Sequence, residues 1–533
     1  MAQYDVIIIG AGPNGITAGA YLSKAGLKVL LLERLIESGG GLACEECTLP
    51  RFIHNTHSIY HLMVEYAPPY KDFNLTDVKY IYPDLQFALP LSDGRSVCIY
   101  KDVDRTCQSL AKFSRKDADT YREIYHKFEK HMDRFLAPAT YVDPLPAPLQ
   151  AAKLDISELG REITEFSSKS PKTIVEDLFE NSHVRALMLY VTAHWGLRPD
   201  TDGVGYMAVL CLNRASHYQL CVGGSHSLAQ SLIRVILENG GVILGSQQIK
   251  RLIVKNGIAA GIEMEDGRTI EATKAVISTI DPIQTFIKYV GEENLEEDFI
   301  EKVENYQWEH WSLLNVHLAL DKAPVFNDPE ISKAFIHAPL GIETEEELLG
   351  LWEAIDQGEL LTKGFNCCFP SIHDPSQAPE GRHTGLISLM APYNLKEGTD
   401  KYLKYHFKME IAKKCIATLR QYAPNMTEDN ILWTTTHTPV DIENRFLDMV
   451  HGSIKQGAYE PLQMGFLRPN EECSNHRTPI GNLYLGGASS YPGGLITFGP
   501  GYGVANSVAQ DTGIETWWSE PEIVTRLRKD GLV

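Results

Sequence analysis

The chain reads as an α/β fold of two interleaved domains, and three stretches predict it. Residues 4–9 (YDVIII) form an apolar strand that runs into Gly10-Ala11-Gly12-Pro13-Asn14-Gly15, a G-x-G-x-x-G turn. A helical pattern follows, and a second apolar strand, residues 29–32, ends at the acid Glu33. Residues 220–280 hold a helix, a small antiparallel meander and one more apolar strand, 275–280. Far along the chain, residues 482–487 form a strand running into a glycine-rich loop, with a helix at 504–512. A parallel sheet carrying crossover helices accounts for all three.

The first stretch is one complete βαβ unit with the physics of a dinucleotide clamp. Gly10 permits the tight turn, Gly12 lets backbone approach a pyrophosphate, and Gly15 lets helix and strand pack closely. Ala11, Pro13 and Asn14 complete the loop. Gly19, Leu22 and Gly26 are spaced to pack the helix on the sheet. The helix N-terminus offers free N–H groups and a positive dipole end to phosphates. Glu33 is placed to accept from a ribose diol, and Arg34 to lie against an adenine.

After Glu33 comes Gly39-Gly40-Gly41, then a cluster of His54, His57, Ser58, Tyr60 and His61. Residues 85–101 read as strands around the Ser92-Asp93-Gly94 turn. Residues 104–195 are mostly helical, broken by Pro138, Pro144, Pro146 and Pro148, which read as a surface excursion. Val222-Gly223-Gly224 precedes a helix over 228–239. Asn256-Gly257 and Asp266-Gly267 are hairpin turns. Residues 313–320 read as a strand and 403–421 as a helix.

With 533 residues the chain exceeds one simple core. Its formal net charge of −20, from 69 acids against 49 bases, excludes a nucleic-acid partner and tight binding to anionic lipid. No apolar run reaches the roughly 20 residues that span a bilayer, so membrane contact is at most peripheral. A strand by residue 4 leaves no room for a signal peptide. The ten cysteines are scattered, as in a reducing cytoplasm. Cys44 and Cys47 form a single C-x-x-C without a second pair or a paired-histidine element, so no metal site is expected. Cys367 and Cys368 read as strand residues.

The set Gly10, Gly12, Gly15, Gly19, Leu22, Gly26, Val29 and Glu33 resembles the FAD-binding motif of the amine oxidase and phytoene desaturase superfamily. The block from Val222-Gly223-Gly224 through Gly240-Gly241, Ile249 and Gly261 to Ala275-Val276-Ile277 resembles its middle segment. Residues 477–488 (RTPIGNLYLGGA), with Tyr491-Pro492-Gly493-Gly494, resemble its closing flavin motif. The nearest branch is the phytoene-dehydrogenase-related oxidoreductases. Arg51, Val222 and Tyr491 depart from the usual Gly, Pro and His, and Ala488 stands where the amine-oxidase branch places an acid.

The resemblance implies a Rossmann-like FAD-binding domain (1–80, 215–300 and 470–533) with an interleaved α+β substrate domain (81–214 and 301–469). It implies that Gly40, Gly41 and Leu42 approach the flavin or pyrophosphate, and that Ile249 offers backbone groups to adenine. Gly487, Ala488, Leu495, Ile496 and Thr497 would pass beside the flavin ring, where a following helix aims its positive end at N1. It further implies dehydrogenation of a largely apolar substrate such as a carotenoid or other isoprenoid, with hydride passing to flavin N5 and on to oxygen or a quinone-like acceptor. A second G-x-G-x-x-G is absent, which disfavours a reductase using NADPH. Candidates for substrate chemistry are His57, Tyr60, His194, Trp195, Tyr491 and Thr497. His57 and Tyr491 rank first as catalytic residues because they flank the flavin loops. A C=C isomerase, an amine or cyclic-ketone oxidase, and a non-enzymatic lipid carrier of the same fold stay open.

Overall fold

In the computed structural model, which describes residues 2–533, strand β1 (Ala2–Ile9) turns at Gly10 into helix α1 (Pro13–Lys24). Strand β2 (Val29–Leu32) returns parallel to β1. The glycines explain the closeness of this packing. A Cβ on Gly15 would strike the Gly10 carbonyl oxygen, and one on Gly19 would lie 2.8 Å from Leu31. Strands β3 (Leu85–Pro90) and β4 (Ser96–Tyr100) then form an antiparallel hairpin. Helices fill most of residues 103–214. Pro138 is buried inside a helical turn there, while Pro146 and Pro148 are exposed at the start of the next helix. A proline is tolerated in a first helical turn, which is why the excursion is shorter than its composition suggests.

Helix α2 (His226–Glu238) leads to β5 (Val242–Leu244), β6 (Ile249–Lys255), β7 (Ile258–Met264) and β8 (Thr269–Ser278). Asn256 and Gly257, at φ 52° and 73°, make the β6–β7 turn, as the mirror-image turns of tight hairpins require. Strands β9 (Trp311–Leu320), β10 (Ile336–Leu340), β11 (Phe365–Cys368), β12 (His383–Pro392) and β13 (Ile431–His437) follow. The chain closes with β14 (Leu483–Leu485) and helix α3 (Gly499–Thr512).

Among the described residues these strands make two seven-stranded sheets. The first runs β6-β7-β8-β1-β2-β5, with β14 also paired to β8. Its β1, β2, β5, β8 and β14 pairings are parallel. Alternate residues of β1 serve different cores. Val6 and Ile8 pack under α1, α2 and α3, while Ile7 and Ile9 meet Phe286 and Phe299 on the opposite face. Burial on both faces accounts for the unbroken apolar run. The second sheet runs β13-β9-β12-β11-β10-β3-β4. One face carries Leu314, Val316, Leu318 and Leu320 against the helix Tyr405–Tyr422. The fold is α/β with a Rossmann-like first sheet. Among the described residues no helix is long and apolar enough to cross a membrane.

Candidate functional site

A cleft opens at the carboxyl ends of β1 and β2, where open parallel sheets bind their ligands. Its lining includes Gly10, Gly12, Pro13, Asn14, Glu33, Arg34, Gly40, Gly41, Ile249, Ala488, Leu495, Ile496 and Thr497. Residues from three distant parts of the chain thus share one wall. No atom lies within 4 Å of where a Cβ on Gly12 or Gly41 would stand, and a Cβ on Gly40 would lie 2.9 Å from the Gly12 Cα. The two glycine loops therefore press backbone on backbone and leave an open cradle on the cleft side. Helix α1 starts there with no side-chain cap, so its first N–H groups are free for a ligand.

The Glu33 carboxylate is held by backbone: Oε2 accepts from the Ala11 N–H at 3.0 Å, and Oε1 from the Leu35 N–H at 2.9 Å. A carboxylate has about four acceptor positions, which leaves room for a diol as well. Arg34 lines the cleft, with its guanidinium donating to the Arg445 carbonyl. The loop before α3 is strained. Leu495, Ile496 and Phe498 all have positive φ, at 76°, 53° and 58°. Each such residue costs about 1–3 kcal/mol and persists only where its surroundings over-determine it. Tyr141 provides one restraint, donating its hydroxyl to the Thr497 carbonyl at 3.1 Å.

Some residues expected at the site stand elsewhere. Ala11 and Leu42 are fully buried behind the cleft. Gly15 serves helix–strand packing, and a Cβ on Gly487 would strike the Thr279 carbonyl. Neither His57 nor Tyr491 is among the cleft-lining residues. The His57 ring packs edge-on against Phe446 at 4.7 Å, and burial lowers its pKa to about 3. Tyr491 faces a separate cavity with Tyr141, Asp143 and His476, and its hydroxyl donates to the Ala139 carbonyl. Burial raises its pKa.

Three further groups stand out that no sequence motif marks. Asp448 lines the cleft, accepts from Gln456 Nε2 at 2.5 Å, and is pushed up to about 7 by burial, with the charges of Asp281 and Glu33 adding. Lys455 and Glu309 form a buried ion pair, each side chain 2% exposed. The Lys455 ammonium sits 4.5 Å from the Trp311 ring centroid, and burial lowers its pKa. Only the Trp308-Glu309-His310-Trp311 run signals in the sequence that something unusual surrounds this pair.

An aromatic wall adjoins the cleft through Leu495, which lines the cleft and packs on the largest apolar core. Trp195 stacks on Tyr218 at 5.5 Å, and His194 lies 5.2 Å from Trp195 and 5.6 Å from Tyr60. Three of the candidates for substrate chemistry are thereby brought together. His194 Nε2, Trp195 Nε1 and the Tyr218 hydroxyl are buried without hydrogen-bond partners.

The open glycine cradle, uncapped helix and Glu33 fit a dinucleotide whose diphosphate meets backbone and whose diol meets the acid. Comparison with known proteins agrees. Residues 49–497 match the family model described as flavin containing amine oxidoreductase, and residues 1–61 match that of the Thi4 family. A limonene dehydrogenase polypeptide from Castellaniella defragrans is 36% identical, over 100% of this chain and 99% of its own. A phytoene desaturase (lycopene-forming) of Pseudescherichia vulneris is 23% identical over 92% and 95%. An oxidoreductase from Methanosarcina mazei has a similar solved structure, with TM-score 0.62 and 17% identity over 95% and 99% of the two chains. The chain belongs to the flavin-containing amine oxidoreductase family and is an oxidoreductase that uses FAD.

Proposed function

We propose that this enzyme dehydrogenates a carbon–carbon bond of a largely apolar, isoprenoid-class substrate. The aromatic wall beside Leu495 carries the reading, since it offers ring faces and apolar surface where an amine-binding site would offer acids. The full-length similarity to a limonene dehydrogenase polypeptide supports the substrate class. Bound FAD supplies a two-electron acceptor for a hydride leaving one carbon while a proton leaves its neighbour.

The chain's own residues hold and shield. Gly10, Gly12 and the start of α1 hold the diphosphate, and Glu33 the diol. The α3 N-terminus stabilises negative charge beside Leu495–Thr497. Trp195, Tyr218 and Trp311 exclude water and orient the substrate. His194, kept neutral by burial and with Nε2 free, is the wall's acceptor for the departing proton. His57 and Tyr491 have no direct role. Electrons leave to oxygen or a quinone-like acceptor, and membrane contact is at most peripheral. Residues 1–80, 215–300 and 470–533 form the cofactor domain, and 81–214 and 301–469 the substrate domain. The membership of the two sheets supports this division.

The test is anaerobic mixing of the yellow protein with limonene-like terpenes, polyenes, amines and NADPH, following loss of the visible flavin band. Bleaching by an isoprenoid hydrocarbon with a new C=C bond in the product is expected. Rapid stoichiometric bleaching by NADPH, or by amines alone, would overturn the reading. Altered double-bond geometry without net bleaching would make the protein an isomerase.

A further inference from the structure

Behind Phe446, the loop joining the short strands Cys44–Glu45 and His54–Asn55 folds onto β9 and β13 of the second sheet. Thr435 on β13 donates its hydroxyl to the Cys47 carbonyl at 2.6 Å, which fixes the loop on the sheet. Cys47, His54 of the returning strand and His317 of β9 meet there. One ligand atom from each lies within 4.8 Å of the other two. The His317 ring is edge-on to His54 at 5.2 Å and to His437 of β13 at 5.0 Å.

His317 makes the cluster more than a packing accident. Its side chain is fully buried, and neither ring nitrogen has a hydrogen-bond partner. A neutral imidazole has one donor and one acceptor, and a folded interior rarely leaves both unmet. A metal ion satisfies the acceptor directly. His54 Nε2 stands 2.7 Å from Thr48 Oγ1, the kind of outer contact that orients a ligating ring. Cys44 is a separate matter. Its thiol donates to Asn55 Oδ1 at 3.2 Å, and its sulfur accepts from the His226 N–H at 3.2 Å. The C-x-x-C spacing in the sequence therefore points to the wrong pair.

We propose that Cys47, His54 and His317 bind a zinc ion, with His437 as the neighbouring side chain that completes a tetrahedral set. One thiolate with imidazoles is a borderline-soft donor set that selects zinc over magnesium or calcium. Binding displaces the Cys47 thiol proton to solvent. A closed site of four protein ligands is structural. It ties the loop that follows the cofactor glycines to the second sheet.

The test is elemental analysis of the flavin-loaded protein, purified without a polyhistidine tag, then X-ray absorption at the zinc edge. One zinc per chain is expected, with one Zn–S distance of about 2.3 Å and Zn–N distances of about 2.0–2.1 Å. His317→Leu and Cys47→Ser should each lose the zinc and keep the yellow colour that reports a folded cofactor site. Cys44→Ser should keep both. Folded yellow protein without zinc, zinc lacking a sulfur neighbour, iron or copper in its place, or zinc retained in both ligand variants would each overturn the assignment. The spectrum of the unsubstituted protein decides the matter even if a variant fails to fold.

Discussion

The first sheet is parallel at its centre and buries both faces, and it meets its ligand at strand ends. The second is antiparallel except for a single parallel pairing, β3 to β10. It meets the active region through side chains from strands and helices far apart in sequence. Recognition by the first sheet is a matter of backbone, so it is written in where glycine must stand. Recognition by the second depends on which large side chains happen to converge. The first kind tolerates almost no added atoms, and the second tolerates almost no lost partner.

Gly12→Val is the sharpest way to break this contrast. Gly12 has no atom within 4 Å of its Cβ position and is N-cap at φ −75°, so valine fits the fold and fills the cradle. The expected outcome is folded, colourless protein by circular dichroism and absorption. Full flavin occupancy would refute the backbone account.

On the other side, Lys455→Met should cost about 3–5 kcal/mol in denaturant unfolding, because it strands Glu309 as an unpaired buried charge. The double variant Lys455→Met with Glu309→Leu should recover most of that loss. Without recovery, the pair is not an isolated unit. Glu33→Ala should weaken FAD binding about 10- to 100-fold, equivalent to roughly 1.5–3 kcal/mol. It also frees the Ala11 and Leu35 amides, so its melting temperature should fall even without FAD. A change in binding alone would show those amides to be satisfied otherwise.

How far the chain was legible follows the same division. The G-x-G-x-x-G turn, Glu33, the Asn-Gly and Asp-Gly hairpins and the closing strand were readable because each needs a particular residue at a particular φ or spacing. Lys455, Glu309 and Asp448 were not, since each owes its state to burial, which sequence spacing does not encode. Leu42 and Gly487 were expected beside the ligand because they adjoin residues that are there; both instead support it from behind. His57 and Tyr491 flank the right loops but point their polar atoms elsewhere.

Acid should loosen both regions together. His61, His194 and His337 are each lowered from 6.5 to about 4, chiefly by burial. Their folded pKa values lie below the unfolded ones, so the unfolded chain binds more protons between the two. Stability is therefore full above about pH 6.5 and is lost as pH falls toward 4, at about 1 kcal/mol for each histidine near pH 5.5. Urea unfolding midpoints across that range check it. His61→Asn, which removes the titration, should flatten the curve. The smallest effects belong to His57→Ala and Tyr491→Phe, each expected to slow flavin reduction by less than about tenfold, under roughly 1.4 kcal/mol of barrier. A larger loss in single-turnover rate would return either residue to the reaction.

Strand β8 lies between two strands from opposite parts of the chain, since Val276 pairs with Ile7 on one side and with Leu483 on the other. The ribosome makes the Ile7 strand first and the Leu483 strand about two hundred residues after β8. Until then Val276 and Ile277 present an open apolar edge to solvent or to a chaperone. The loop at Leu495–Thr497 arrives later still. Cofactor capture must then wait until that loop has emerged, and a nascent chain truncated before β14 should be a client of the quality-control machinery and not a partial enzyme.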